Sequence, residues 1–282
     1  MIKIVADTLS CITVEEARLL DIPLLPQIII FGEESYRDDT EINTETFLSK
    51  LKKAKELPKT AAPSPALYQP IFEKIIQAGD TPMVICPTSE LSGTYRSAVV
   101  AAKEFPEVDI RIVDTRTLAS GLGMIVRCAV QWANEGISVD EIEKRTLEMA
   151  SRERFYFMVA TLEYLHKGGR LGNAQAIVGS MLQVKPILQL KNGIIENYGS
   201  QRTRKKALSY LCDLVNNECP HGQNAFLSVM HGAAPIDAAE MLARLRSIIG
   251  IPSIPLYDLP AAILVHGGPG AFGVSFFVGG KD

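Results

Sequence analysis

Over roughly the first 150 residues, short apolar runs alternate with stretches of helical period, and this alternation constrains the fold more than any other feature. Residues 2–5, 81–86 and 108–114 read as buried strands. The segments 67–77, 97–104 and 122–135 read as helices. Thr13 and Glu16, three residues apart, form a cap signature ahead of a further helix. Strands separated by helices pair in parallel, with helices on both faces of the sheet. In such sheets ligands gather beyond the carboxyl ends of the strands. Asp7-Thr8, Ser92 and Asp114-Thr115 all fall at such ends. Thr60 lies in a stretch, Lys59-Thr60-Ala61-Ala62-Pro63-Ser64-Pro65, that reads as a stiff, hydroxyl-bearing loop serving the same edge.

The turn Pro87-Thr88-Ser89-Glu90-Leu91-Ser92-Gly93-Thr94 joins a strand to a helix. Such a turn offers backbone N–H groups and the positive end of a helix dipole to an anion. Ser92 adds a hydroxyl, and Gly93 allows close approach to the backbone. The same residues also serve as an ordinary helix cap, worth ~1 kcal/mol. The turn by itself fits both descriptions.

After residue 153 the pattern changes. Residues 155–160 read as a strand and 174–183 as a helix. Residues 185–190 and 194–198 read as a hairpin across Asn192-Gly193. A hairpin among alternating elements points to a second domain with a mixed sheet, and the domains are expected at 1–155 and 156–282. Residues 261–265 read as a strand that delivers His266 into the exposed turn Gly267-Gly268-Pro269-Gly270. There the imidazole serves equally to donate to an anion or to cover the turn. Arg170, after two glycines, is either an anion contact or a solvated loop charge. Arg202 heads the run Arg202-Thr203-Arg204-Lys205-Lys206, which is either an ordinary solvated helix start or, since cations are mildly unfavourable at a helix N-terminus, a set of charges for a partner's phosphate or acidic patch.

Composition removes several classes of function. Net charge is −3, from 29 basic and 32 acidic residues among 282, so no bulk basic field attracts nucleic acid. No apolar run approaches the ~18 residues of a membrane span, and the opening residues lack a signal peptide's apolar region. Five cysteines without a C-x-x-C pair fit reduced thiols and a cytoplasmic location. The four histidines lack metal-ligand spacing, so no metal and no cofactor are expected. Gly268-Pro-Gly-Ala-Phe-Gly273 matches G-x-G-x-x-G, but an apolar strand pattern follows it rather than a helix, which voids the nucleotide reading. There is no P-loop, G-x-S-x-G elbow or H-E-x-x-H. A hydrolase or acyltransferase with Ser92 as nucleophile and His266 as base remains an alternative without a sequence signature.

Taken in order, the residues resemble the DegV family of bacterial fatty-acid-binding proteins. The resemblance rests on Ala6-Asp7-Thr8, Lys59-Thr60 with Pro63-Ser64, Leu91-Ser92-Gly93-Thr94-Tyr95, and Asp114-Thr115 before Ser120-Gly121. It continues through Tyr164-Leu165 with Lys167-Gly168-Gly169-Arg170, Lys185-Pro186-Ile187-Leu188, Arg202 with Lys206-Ala207, and His266-Gly267-Gly268-Pro269-Gly270. It implies an N-terminal three-layer α/β/α domain with a parallel sheet and a C-terminal two-layer α/β domain with a mixed sheet, holding one long-chain fatty acid between them. It also implies a lipid carrier rather than an enzyme. The carrier would present the acid to the ATP-binding subunit of a fatty acid kinase and pass acyl phosphate toward phospholipid synthesis, with an acyltransferase as a further partner. The family's carboxylate-binding positions fall on Thr60, Ser92, Gly93 and His266, and its pocket-mouth or partner-facing basic residues on Arg170 and Arg202. Two departures are visible: Ala61-Ala62 replace the usual Ser-Gln after Thr60, and His166 replaces a basic residue beside Lys167.

Overall fold

The computed structural model describes residues 1–180, 184–222 and 225–279. The chain divides into two compact units, Met1–Asn43 with Pro58–Ser151, and Thr44–Leu57 with Arg152–Asp282.

The first unit opens with β1 (Ile2–Asp7), α1 (Val14–Leu19), β2 (Leu24–Leu25), β3 (Ile28–Phe31) and β4 (Glu34–Arg37). The next element, α2 (Thr44–Lys53), belongs to the second unit, where its Phe47 is fully buried. The first unit resumes with β5 (Lys59–Ala61), α3 (Pro65–Gln77), β6 (Thr81–Cys86) and α4 (Thr94–Ala102). It closes with β7 (Arg111–Asp114), α5 (Ala119–Asn134) and α6 (Val139–Ser151). The main sheet has the order β2-β1-β6-β7, and every pairing in it is parallel. The middles of its strands, such as Ile4-Val5-Ala6 and Met83-Val84-Ile85, are apolar and buried because helices cover both faces. Val5 packs with Tyr68 and Phe72 of α3 and Ala98 of α4. Ile4 and Ala6, equally buried, point the other way along the pleat, and α5 packs on β1. The cap signature at Thr13 is realised in part: its hydroxyl accepts the Glu16 N–H at 3.1 Å, while the Glu16 carboxylate turns away to a two-pronged bond with Arg127.

A second, antiparallel sheet of order β4-β3-β5 corrects the reading of Thr60 as a loop residue. Thr60 stands in β5 opposite Ile29. A three-residue strand bounded by prolines carries too little periodic signal to be distinguished from a loop.

The second unit continues with β8 (Glu153–Met158), α7 (Glu163–Lys167), β9 (Lys185–Lys191), β10 (Ile194–Gln201) and α8 (Arg204–Glu218). It ends with β11 (Leu227–Gly232), α9 (Pro235–Ile249), β12 (Leu256–Asp258), α10 (Ala261–Gly267) and β13 (Ala271–Phe277). Its sheet, of order β10-β9-β8-β13-β11-β12, is antiparallel except for the β11–β12 pair, and so is mixed. Asn192 and Gly193 both have positive φ, 51° and 82°, as the expected two-residue hairpin requires. Leu208, Leu211 and Val215 of α8 and Met241 and Leu245 of α9 build its core against Met158, Val229 and Val274.

Two expectations in this unit need correction. The segment expected as a helix over 174–183 is a 3-10 run, Gly172–Ser180, and residues 181–183 lie outside the described ones. Two glycines and the β-branched pair Ile177-Val178 lower its α propensity. Residues 261–265 form the body of α10 rather than a strand. Five apolar residues cannot signal a period, so a short helix and a strand look alike there.

Candidate functional site

At the edge of the parallel sheet, two strand-end carboxylates hold the 87–94 turn. Asp114, closing β7, accepts from the Ser89 hydroxyl at 2.6 Å and from the Ser89 N–H at 3.3 Å. Asp7, closing β1, accepts from the Thr94 hydroxyl at 2.7 Å and from Gln27 Nε2 at 2.7 Å through one oxygen. Its other oxygen accepts the Leu9 N–H, capping the short turn that follows. Gln27 Nε2 also donates to the Thr94 hydroxyl oxygen at 3.0 Å. Next to this cluster the Thr8 hydroxyl meets both oxygens of Asp38, and Asp38 accepts the Gln27 N–H at 2.8 Å. Asp7, Gln27 and Thr94 are at most 3% exposed, so the bonds among these three are made out of water.

Burial dominates the electrostatics of the cluster. It pushes the Asp7 carboxyl up to about 7 against the pull of Thr94, Leu9 and Gln27. It likewise raises Asp38 to about 7, with the Asp7 charge adding to the effect and Thr8 opposing it.

Ser92 sits at the surface end of this network. Its hydroxyl lies 3.0 Å from the Thr94 hydroxyl and accepts the Thr94 N–H at 3.3 Å. The helix begins at Thr94 with Gly93 as its N-cap, three residues ahead of the expected start. The first intrahelical bond runs from the Ser97 N–H to the Gly93 carbonyl, which leaves the Tyr95 and Arg96 N–H groups at the helix mouth beside Ser92. A Cβ added to Gly93 would lie 3.3 Å from the Ala62 Cβ. The chain just past β5, two residues beyond Thr60, therefore packs against the Gly93 turn within the first unit. Of the supporting groups, Gln27 and Asp38 are the ones sequence reasoning missed. The only local signal was a lone amide between Pro26 and Ile28 in an otherwise apolar stretch.

The second unit brings His266 and Arg170 together. His266 is in the last turn of α10 and half-buried, not exposed in a mobile turn as expected. Burial, and then the Arg170 charge, lower its pKa to about 4, so the imidazole is neutral at pH 7. Arg170 Nη1 donates to the Gly168 carbonyl at 2.6 Å. Gly168 is a glycine for lack of space: a Cβ there would collide with His266 Nδ1 and stand 2.8 Å from the Tyr164 carbonyl oxygen. Gly168→Ala is expected to cost about 1–3 kcal/mol and to displace the His266 ring. The shift of the His266 imidazole NMR resonances reads this out, and unchanged resonances would show that the ring has room to spare.

Arg202 is exposed ahead of α8. Its neighbour Arg204 is structural, bound through two 2.8 Å contacts to Asp237 and lying 4.8 Å over the Phe272 ring. Among the described residues no group of three or more His, Cys, Asp or Glu side chains has metal-holding geometry. No described helix is long and apolar enough to cross a membrane.

The fold and this edge define a two-unit α/β protein with a hydroxyl-lined turn at the carboxyl ends of a parallel sheet. The family model described as "Uncharacterised protein, DegV family" matches residues 1–278, and the chain belongs to the DegV family. A DegV domain-containing protein of Streptomyces coelicolor is 35% identical over 275 residues, 97% of each chain. Among solved structures, a Thermus thermophilus DegV family protein described for fatty acid binding superposes with a TM-score of 0.91 at 28% identity, covering 98% of this chain and 99% of its own. DegV of Bacillus subtilis, described as a fatty acid binding protein, superposes with a TM-score of 0.86 at 31% identity, covering 99% of both chains.

Proposed function

We propose that the protein binds a long-chain fatty acid and presents its carboxylate to an ATP-dependent fatty acid kinase subunit, as a carrier rather than an enzyme. The observation that carries the reading is the Ser92 turn. A hydroxyl, a bare glycine and two helix-mouth N–H groups converge at the strand edge of a chain whose relatives are described as fatty-acid-binding. Uncharged donors of this kind hold a carboxylate without neutralising it. The bound oxygen therefore keeps the electron density needed to attack the γ-phosphate of a partner's ATP. The product, an acyl phosphate, would pass to phospholipid synthesis through an acyltransferase. Thr60, on the strand whose following residues pack against the Gly93 turn, is assigned to the same carboxylate. His266, held neutral in the second unit, is assigned as an uncharged donor to the ligand, and Arg170 and the exposed Arg202 as pocket-mouth or partner-facing cations.

Mass spectrometry of the lipid extracted from purified protein is expected to find a long-chain fatty acid at near one per chain. A hydrogen bond to a charged group is worth about 1.5–3 kcal/mol, so Ser92→Ala and Thr60→Ala should each weaken binding by about ten- to a hundredfold. Protein that neither carries nor takes up any fatty acid would overturn the reading. Binding untouched by both substitutions would overturn the assignment of the carboxylate to this turn.

A further inference from the structure

The hydroxyl chain behind Ser92 ends in a buried acid, and its proton inventory is restrictive. Thr94 Oγ has one proton and two acceptor sites. When Asp7 is ionised, that proton is committed to Asp7 across 2.7 Å. Thr94 Oγ then accepts from Gln27 Nε2 at 3.0 Å and from Ser92 Oγ at 3.0 Å. The Ser92 proton consequently points inward. Towards a ligand Ser92 presents only lone pairs, which repel a carboxylate. When Asp7 is protonated on the same oxygen, the Gln27 amide still donates but the carboxyl–hydroxyl directions reverse. Asp7 donates to Thr94, Thr94 donates to Ser92, and the Ser92 proton is released outward.

We propose that Asp7 and Thr94 are positioning residues that set the donor direction of Ser92, so that a carboxylate held by Ser92 binds together with one proton taken up by Asp7. The inference rests on the fatty-acid reading above. Its balance is simple: free protein with ionised Asp7, a ligand carboxylate and one proton from solvent give the complex with neutral Asp7. Two hydroxyl rotations are the only other change.

The surroundings of Asp7 support the uptake. The titratable groups that act on it or feel its charge are Asp38 beyond β4, Tyr68 on α3 and Cys86 on β6. All three are neutral or negative, so none of them holds Asp7 ionised. Asp114 of β7 acts on Cys86. α5, which packs on the turn after Asp7, contributes Arg127, already bound to Glu16 at 2.6 and 2.9 Å. The carboxyl is raised to about 7, where one proton exchanges readily near neutral pH. His266, lowered to about 4, stays neutral across that range.

The test is calorimetric titration of the delipidated protein with dodecanoate at pH 6, 7 and 8, in buffers of different ionisation enthalpy, which counts protons taken up per ligand bound. Wild type is expected to take up close to none at pH 6 and about one at pH 8, with affinity falling towards tenfold per pH unit above 7. Thr94→Val breaks the chain and should abolish the uptake. Thr94→Ser keeps a hydroxyl and should restore it. If wild type binds dodecanoate without proton uptake at pH 8, the inference is overturned and the fatty-acid reading stands. Uptake that persists in Thr94→Val also overturns it, because the proton then goes elsewhere. If Thr94→Val does not fold, the wild-type and Thr94→Ser counts decide alone. A protein that binds no dodecanoate or longer acid fails at the fatty-acid reading itself.

Discussion

Gly123→Ala is expected to destabilise the first unit by about 2–3 kcal/mol, although it exchanges glycine for the best helix former inside a 16-residue helix. In an open helix the exchange would gain about 1 kcal/mol. Here a Cβ would collide with the backbone carbonyl of Ser10 and stand 3.0 Å from Arg127 Nη1. A backbone oxygen cannot rotate away as a side chain can, so α5 or the turn over residues 8–10 has to move. That turn is capped by Asp7, and the Ser10 hydroxyl is tied to the Asp7 carbonyl at 2.6 Å. The displacement therefore reaches the carboxylate that orients Thr94. We expect a lower denaturant midpoint and weaker ligand retention together. A variant as stable as wild type would show slack between α5 and the turn that the close approach denies.

The legibility of this molecule follows the range of its interactions. The parallel sheet was readable because each buried strand repeats one local pattern, and Asp7, Ser92 and Asp114 do stand at its carboxyl edge. The Asn192-Gly193 hairpin was readable because its turn type demands positive φ at two adjacent residues. Short elements escaped. β5 has three residues, β4 is a polar edge strand, and the apolar run in α10 is too short to show a period. The excursion of α2 into the second unit left no trace, since amphipathic periodicity names a buried face without naming what buries it.

The candidate site divides along the same line. Ser92 and Gly93 announce themselves within one strand-turn-helix segment. The cluster that orients Ser92 joins residues 7, 27, 38 and 94, with separations of 20 for Asp7–Gln27 and 87 for Asp7–Thr94. No window of sequence contains them together. His266 was found by its glycine neighbours, but its burial was not, because burial there comes from the approach of α7 to α10.

The energetic cost of that hidden cluster should appear in the pH dependence of stability. The Asp7 carboxyl titrates at 3.8 when exposed and at about 7 in the fold, so between these values the folded chain holds a proton that the unfolded chain has shed. Its stabilising contribution is complete below about pH 4, declines as pH rises, and is lost above about pH 7, a total of about 4 kcal/mol. Asp38 adds a decline over the same window. His266 opposes both, because its folded pKa of about 4 lies below its ordinary 6.5. Its contribution is complete above pH 6.5 and is lost as pH falls towards 4. The wild-type curve is thus a composite, and the informative quantity is the difference between Asp7→Asn and wild type in denaturant unfolding from pH 4 to pH 8. Asparagine keeps the shape and sheds the charge, so the difference should move by about 4 kcal/mol in favour of the variant over that range. Most of the movement should fall between pH 4 and 7. A flat difference would mean that Asp7 ionises in the fold as readily as in the unfolded chain, and the reversal of donors at Ser92 would lose its proton acceptor near neutral pH.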